Sequence, residues 1–166
     1  LARVLSTSRY ASDLLTRAPE AVRILADVQS MTPHDRDSLS AELDSVVRRH
    51  STAASAAGAV RAIRRRELFR IAAADLDGVC DVSAVGTALC DLTDATVSAV
   101  LTAAMAEVAA DYGGELPTRL LVVAMGRLGG RDMSYASDAD VMYVHEPLPG
   151  ADEKVAGDAA KRVFTL

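Results

Sequence analysis

The chain has 166 residues, half of them apolar and a quarter charged, an ordinary globular composition with room for one domain or for one domain and part of a second. A net charge of −5 argues against a general nucleic-acid binder, which gains affinity by setting an excess of Lys and Arg against phosphates. Aromatic residues at 4%, with no Trp, argue against base stacking, while abundant Ala and Val suit close-packed helices.

In chain order, Ser6-Thr7-Ser8 offers a cap for a short helix carrying Tyr10, Leu14 and Leu15. Pro19 suits the first residue of a second helix with Val22, Leu25 and Val28 on one face. Thr32-Pro33 restarts the chain, and Leu39, Leu43, Val46, Val47 and His50 form an apolar stripe of helical period. Ser51 to Gly58, all small residues, reads as a linker or loose turn. A helix over 59–76 then carries Val60, Ile63, Leu68, Phe69 and Ile71, with Gly78 placed to end it. After Asp81, the series Val85, Leu89, Leu92, Val97, Val100, Leu101, Met105 and Val108 would extend about 45 Å if unbroken, and a kink is expected near Thr93-Asp94. Cys80 and Cys90 have no metal-ligand spacing, so reduced thiols in a cytoplasmic protein are expected.

Beyond Gly113-Gly114 and Pro117, residues 119–125 are short, continuous and rich in Leu and Val, which predicts a buried strand. Residues 128–135 should be a turn with at most a short helix, residues 139–145 a second strand ending at Pro147, and residues 152–166 a helix carrying Val155, Ala159 and Val163. The expected fold class is therefore α+β and predominantly helical, with a helical domain over 1–112 followed by a strand-bearing part over 113–166. Two strands seldom make a stable sheet, so further strands are expected beyond Leu166. A start at Leu1 without Met or a charged leader suggests a piece of a longer chain, and no apolar run approaches the roughly 20 residues of a membrane span.

The chemistry concentrates in Met125-Gly126-Arg127-Leu128-Gly129-Gly130 and, after a polar run, Ser137-Asp138-Ala139-Asp140-Val141. On a strand, residues i and i+2 leave the same face, so Asp138 and Asp140 would hold their carboxylates side by side, whereas a helix would splay them about 200° apart. Neighbouring carboxylates repel unless a cation stands between them, and a hard cation with bound phosphate answers that need. Gly129 and Gly130 either let backbone N–H groups approach phosphate closely or make a tight turn. Asp138 and Asp140, taken alone, are equally compatible with capping and turn roles. The compound order of strand, glycine pair and Asp-x-Asp opening a second strand favours the catalytic reading.

Three other features compete. Asp75-Leu76-Asp77 repeats the Asp-x-Asp spacing but falls at a helix end without a glycine turn, and reads as a solvated end. Arg61, Arg64, Arg65, Arg66 and Arg70 could dock a phosphate or an acidic partner, although a solvated face pairing with Glu67 and other acids is favoured. His50 reads as a partly buried structural residue, and His145 as a strand-end residue rather than a ligand.

The segment from Met125 to Val144, MGRLGGRDMSYASDADVMYV, resembles the signature of the glutamine synthetase adenylyltransferase family within the superfamily of DNA polymerase beta-like nucleotidyltransferases, with Asp132 where Glu is usual. Ser8-Arg9-Tyr10-Ala11-Ser12-Asp13-Leu14-Leu15 with Pro19, and Arg66-Glu67-Leu68-Phe69-Arg70-Ile71, are similar to the family's helical segment before each catalytic domain. The resemblance implies that 113–166 opens a nucleotidyltransferase domain with a mixed sheet. It implies AMP transfer from ATP to a tyrosine of glutamine synthetase, with the sequence looking more like the adenylylating half of actinobacterial members. The alternatives are the deadenylylating half, which uses phosphate and forms ADP, and a non-catalytic helical module that binds glutamine synthetase or a PII-type protein.

Carried over by position, Asp138 and Asp140 would be catalytic and would bind two Mg2+ ions, one holding the ATP phosphates and the other activating the tyrosine hydroxyl. Gly129, Gly130 and Ser137 would line the triphosphate. The expected partners are glutamine synthetase and a PII-type protein, with neither nucleic acid nor membrane. The family pattern adds a third carboxylate on a later strand, in a segment resembling Val-Asp-x-Arg-Leu-Arg-Pro. Glu146, Asp152, Glu153 and Asp158 lack that setting, so the segment alone is expected to be inactive.

Overall fold

Most helices of this chain start at a side-chain oxygen. In the computed structural model, which describes residues 2–166, α1 (Ala2–Thr7) leads to Ser8, whose hydroxyl caps α2 (Arg9–Arg17). Asp27 caps α3 (Val28–Met31), Asp35 caps α4 (Arg36–Val47), Thr52 caps α5 (Ala53–Leu76) and Asp81 caps α6 (Val82–Ala110). Each cap accepts from the N–H three residues on, at 2.7 to 3.2 Å, satisfying a donor that the first helical turn leaves without a partner.

The second helix expected from Pro19 is a 3₁₀ segment, Pro19–Ala26, and Asp27 opens α3 as a separate element. Its inward residues Ala18, Ala21 and Ile24 follow the three-residue period of that geometry, so Val22, at 42% exposed, and Val28 do not share the buried face assigned to them. The linker expected over 51–58 is corrected too. From Ala53 onward it is the first turns of α5, because alanine is the best helix former and Thr52 supplies the cap. Ala53 and Ala56 are buried there, and the Ala53 N–H donates to Glu107 of α6 at 2.5 Å. His50 lies beyond the end of α4, with Nδ1 2.6 Å from the Ser55 hydroxyl. Gly78, at φ 75°, ends α5 as expected.

Helix α5 is covered on two sides, so its apolar residues do not form a single stripe. Phe69, Ala72 and Ala73 join Ala11, Leu14, Ile24 and Met31 in one cluster. Val60, Ile63 and Ile71 join Leu39 and Leu43 of α4 and Leu89, Leu92 and Val108 of α6 in the larger one. Helix α6 runs 29 residues without the kink expected at Thr93-Asp94. Thr93 instead bonds back to the Leu89 carbonyl at 2.8 Å and receives Arg64 Nη1 at 3.2 Å, so its hydroxyl is satisfied without breaking the helix. With a mean hydropathy of 1.3, α6 is also long and apolar enough to cross a membrane by length and composition alone, which corrects the expectation that no run approaches that size. Half of its most apolar window is buried inside the fold, as in the core helix of a globular protein.

The Arg cluster surrounds a buried carboxylate and does not form a solvated face. Glu67 is 1% exposed and accepts from Arg66 Nε at 3.0 Å and Arg70 Nε at 2.9 Å, while His34 Nδ1 lies 3.1 Å away. Arg66 also reaches Glu42 of α4 at 2.7 Å, and Arg70 donates to the Ser30 carbonyl. One carboxylate therefore ties α3, α4, α5 and the 32–35 connection together. Cys80 and Cys90 are both free thiols, and burial pushes that of Cys80 above its ordinary pKa.

The remaining chain forms β1 (Thr118–Ala124), the single turn α7 (Gly126–Gly129), β2 (Val141–Pro147) and α8 (Glu153–Thr165), which Asp152 caps. The strands are antiparallel, with Ala124 opposite Val141 and Thr118 opposite Pro147. Helix α8 packs on both strands and on α6 through Ala159 and Val163, and Phe164 stacks on Tyr143 with ring centroids 4.4 Å apart. The strands are not buried as expected: Leu121 is 59% and Tyr143 53% exposed. Among the described residues only two strands exist, so each keeps one edge unpaired.

Removing the buried carboxylate while leaving its cations in place should be expensive. Glu67→Gln should cost this chain about 3–5 kcal/mol in urea unfolding, because the arginines lose their counter-charge inside the fold. Arg119→Ala breaks only the ion pair with Glu146, whose side chains are each 72% exposed. It should change stability by less than about 1 kcal/mol in the same measurement.

Candidate active site

The site is built where β1 turns into α7 and the chain returns to β2. Asp140 precedes the strand it was expected to open, since β2 starts at Val141, and Asp138 lies in the irregular link before it. The two carboxylates are therefore not placed by strand pleating. Asp140 is held by its backbone, whose carbonyl accepts from the Met125 N–H at 2.8 Å and extends the ladder by one rung past Ala124–Val141. Its carboxylate lies over the glycine turn: a Cβ on Gly126 would stand 2.5 Å from Asp140 Oδ2. Gly126 sits at φ 51°, a conformation open to glycine at little cost.

Gly129 serves the same closeness from the other side, because a Cβ there would meet the Ala124 carbonyl oxygen at 2.5 Å. The N–H groups of Gly129 and Gly130 are not free, as the phosphate reading had them. Gly129 donates to the Met125 carbonyl at 2.8 Å and Gly130 to that of Gly126 at 2.9 Å. What the glycines offer is a turn without side chains, not spare donors. Ser137 is likewise engaged: its hydroxyl accepts from the Ser134 N–H at 2.8 Å and lies 3.0 Å from the Ser134 hydroxyl, which Arg127 Nη1 reaches at 3.3 Å.

Both Asp138 and Asp140 are exposed, and among the described residues neither pairs with a cationic side chain. The nearby arginines are committed elsewhere. Arg127 goes to Ser134, and Arg131 bridges Asp91 at 2.5 Å and Asp94 at 3.4 Å on α6. Two oxygen-only anions beside a side-chain-free turn are a donor set that fits a hard divalent cation such as Mg2+ and leaves space for phosphate. His145 lies within β2 opposite Leu120, with Nδ1 3.3 Å from the Thr118 hydroxyl. It belongs to the strand and makes no contact with the aspartates.

Sequence reasoning missed the residues that anchor this loop. Tyr135 donates its hydroxyl to Asp75 Oδ2 at 3.0 Å, so the helix end set aside as solvated is in contact with the site loop. Burial, reinforced by the Asp75 charge, raises the Tyr135 pKa and keeps the phenol protonated as the donor. Its ring also packs on Tyr10, centroids 5.4 Å apart. Met133 is buried against α6, where a Cβ on Gly86 would stand 3.3 Å from the Met133 carbonyl oxygen. A signal was available: Asp91 and Asp94, three apart on one helix face, repel unless a cation faces them.

A family model described as glutamate-ammonia ligase adenylyltransferase matches residues 1–166. Among curated proteins, a "bifunctional glutamine synthetase adenylyltransferase/adenylyl-removing enzyme" of Streptomyces coelicolor is 47% identical over 99% of this chain and 18% of its own length. Proteins of the same name from Cutibacterium acnes and Mycolicibacterium smegmatis are 50% and 42% identical over 93% and 94% of this chain. The chain spans 15% and 16% of the length of those two.

The two glycine contacts predict opposite effects for alanine at different glycines. Gly129→Ala must displace backbone and should cost about 1–3 kcal/mol in denaturant unfolding. Gly157→Ala in α8, where a Cβ meets nothing within 4 Å, should stabilise by up to about 1 kcal/mol.

Proposed function

We propose that this chain, which belongs to the glutamate-ammonia ligase adenylyltransferase family, carries the carboxylate pair and glycine turn of an AMP-transfer site in a two-activity regulator of glutamine synthetase. The single observation supporting this reading is the pair Asp138 and Asp140, exposed, without cationic partners among the described residues, beside a turn that excludes side chains. The reaction is transfer of AMP from ATP to a tyrosine of glutamine synthetase. The tyrosine oxygen forms a bond to the α-phosphorus, the bond to pyrophosphate breaks, and the phenolic proton leaves to solvent or base.

Asp138 and Asp140 would hold Mg2+, and a magnesium ion there supplies positive charge to the phosphates and lowers the pKa of the attacking hydroxyl. The chain's own part is positional. The 126–130 turn admits the triphosphate past Gly129 and Gly130, and Ser137 borders it. The carboxylates fix the direction from which the acceptor approaches. The helical domain over 1–112 and the nucleotidyltransferase part over 113–166 divide the work, with the helices as the surface for glutamine synthetase or a PII-type protein, in the cytoplasm. Among the described residues no third carboxylate joins Asp138 and Asp140, which supports the reading that this segment alone does not turn over.

The relatives' printed name carries a second activity, so adenylyl removal is the alternative reading, with phosphate attacking the modified tyrosine at the same carboxylates and releasing ADP. In the parent protein, Asp138→Asn and Asp140→Asn should each lower AMP incorporation from labelled ATP by at least about a hundredfold, with the thermal midpoint unchanged. Incorporation near the parent rate in either variant refutes the role. ADP released from adenylylated glutamine synthetase and phosphate, and lost in the same variants, assigns the segment to the removing half.

A further inference from the structure

We infer that the helical bundle positions Asp138 through a strap, residues 131–135, and that Asp75 and Tyr135 are positioning residues for nucleotidyl transfer. This rests on the function proposed above. Asp140 is fixed from the sheet, through its carbonyl and the Gly126 turn. Asp138 has no such support: it hangs in an irregular link between Asp140 and the nearest upstream anchor, the Tyr135 hydroxyl on Asp75. The geometry that a shared cation requires therefore depends on where the helices hold Tyr135.

The strap is held at three places. Arg131 bridges Asp91 and Asp94, the Met133 backbone lies against Gly86 with the Met133 side chain buried, and Tyr135 reaches Asp75 at the end of α5 while packing on Tyr10 of α2. As residue number rises, the contact points move back along α6 towards its start. From Asp91 to Gly86 the helix rises about 7.5 Å, and two extended residues from Arg131 to Met133 span about 6.6 Å, so the segment follows the helix almost taut. A taut segment passes displacement on to whatever follows it. Arg131 adopts φ 55° at the start of the strap, a left-handed conformation that its two ion pairs hold. Asp75 sits on α5 and acts on the site only through the Tyr135 hydroxyl, which separates a positioning role from a catalytic one.

The test uses the full-length parent protein with Mg2+-ATP and glutamine synthetase. Tyr135→Phe keeps the ring packed on Tyr10 and removes only the hydroxyl. Asp75→Ala removes the acceptor, and Asp75→Asn keeps an oxygen that can accept. Tyr135→Phe and Asp75→Ala should each lower kcat about tenfold and raise the Mg2+ concentration for half-maximal rate, leaving KM for glutamine synthetase unchanged. Asp75→Asn should restore most of the rate. The double variant should be no worse than either single one, because both remove the same bond. Without substrate, amide exchange over 134–139 should accelerate in both single variants.

Parent kcat and Mg2+ dependence in Asp75→Ala, or effects that multiply in the double variant, would overturn the inference. The function reading fails separately, if Asp138→Asn transfers AMP at the parent rate. The strap is then judged by exchange alone, and unchanged protection of 134–139 in Asp75→Ala overturns it.

Discussion

Two missing side chains govern the strand-bearing part of this molecule. Hydrogen at Gly126 lets the Asp140 carboxylate close over the turn, and hydrogen at Gly129 lets the same turn fold back on the Ala124 carbonyl, each where a Cβ would stand 2.5 Å from an oxygen. Real Cβ atoms do not tolerate that distance, so the turn, the end of β1 and the start of β2 meet only with this sequence. The backbone bond from Met125 to the Asp140 carbonyl then places an acidic residue at the mouth of the sheet. Exposure of that residue is affordable electrostatically because solvent, or a bound cation, can answer its charge.

The helical part solves a different problem, holding long helices together with few large side chains. Ala53 and Ala56 let α5 lie close to α6, and Phe69 supplies bulk on the other side of α5, towards α2 and the 3₁₀ segment. A single carboxylate, Glu67, fixes the relative positions of α3, α4 and α5, because leaving it unpaired inside the fold would be costly. Helix α6 is the common support. One part of its surface packs on α4 and α5, another receives α8 and the strands, and Asp91, Asp94 and Gly86 in its first half receive the loop that leads to the aspartates.

Much of this was legible in the sequence where the signal was local. Asp81 opens α6, Gly78 closes α5, and the two strands lie within two residues of their expected starts, because caps, glycines and prolines act on their immediate neighbours. The family resemblance carried by Met125 to Val144 agrees with the relatives found. What failed was long-range. Whether 51–58 is helix depended on burial of its alanines against α6, and whether Glu67 is solvated depended on α3 and α4 closing over it. Asp75 looked idle because its partner, Tyr135, is distant in sequence. Asp138 and Asp140 were assigned to a strand by spacing, yet the strand starts after them, because antiparallel pairing with β1 runs out where the chain enters α7.

The central claim is that Asp138 and Asp140 share a divalent cation beside the glycine turn. Crystals of the parent protein soaked in Mn2+ and ATP, measured at a wavelength where manganese scatters anomalously, test it most directly. The account predicts an anomalous peak about 2.1 Å from an oxygen of each aspartate, with the triphosphate lying across the 126–130 turn. A fully occupied peak elsewhere, for instance among His34, Glu42 and Glu67, with both aspartates free of metal, would contradict it.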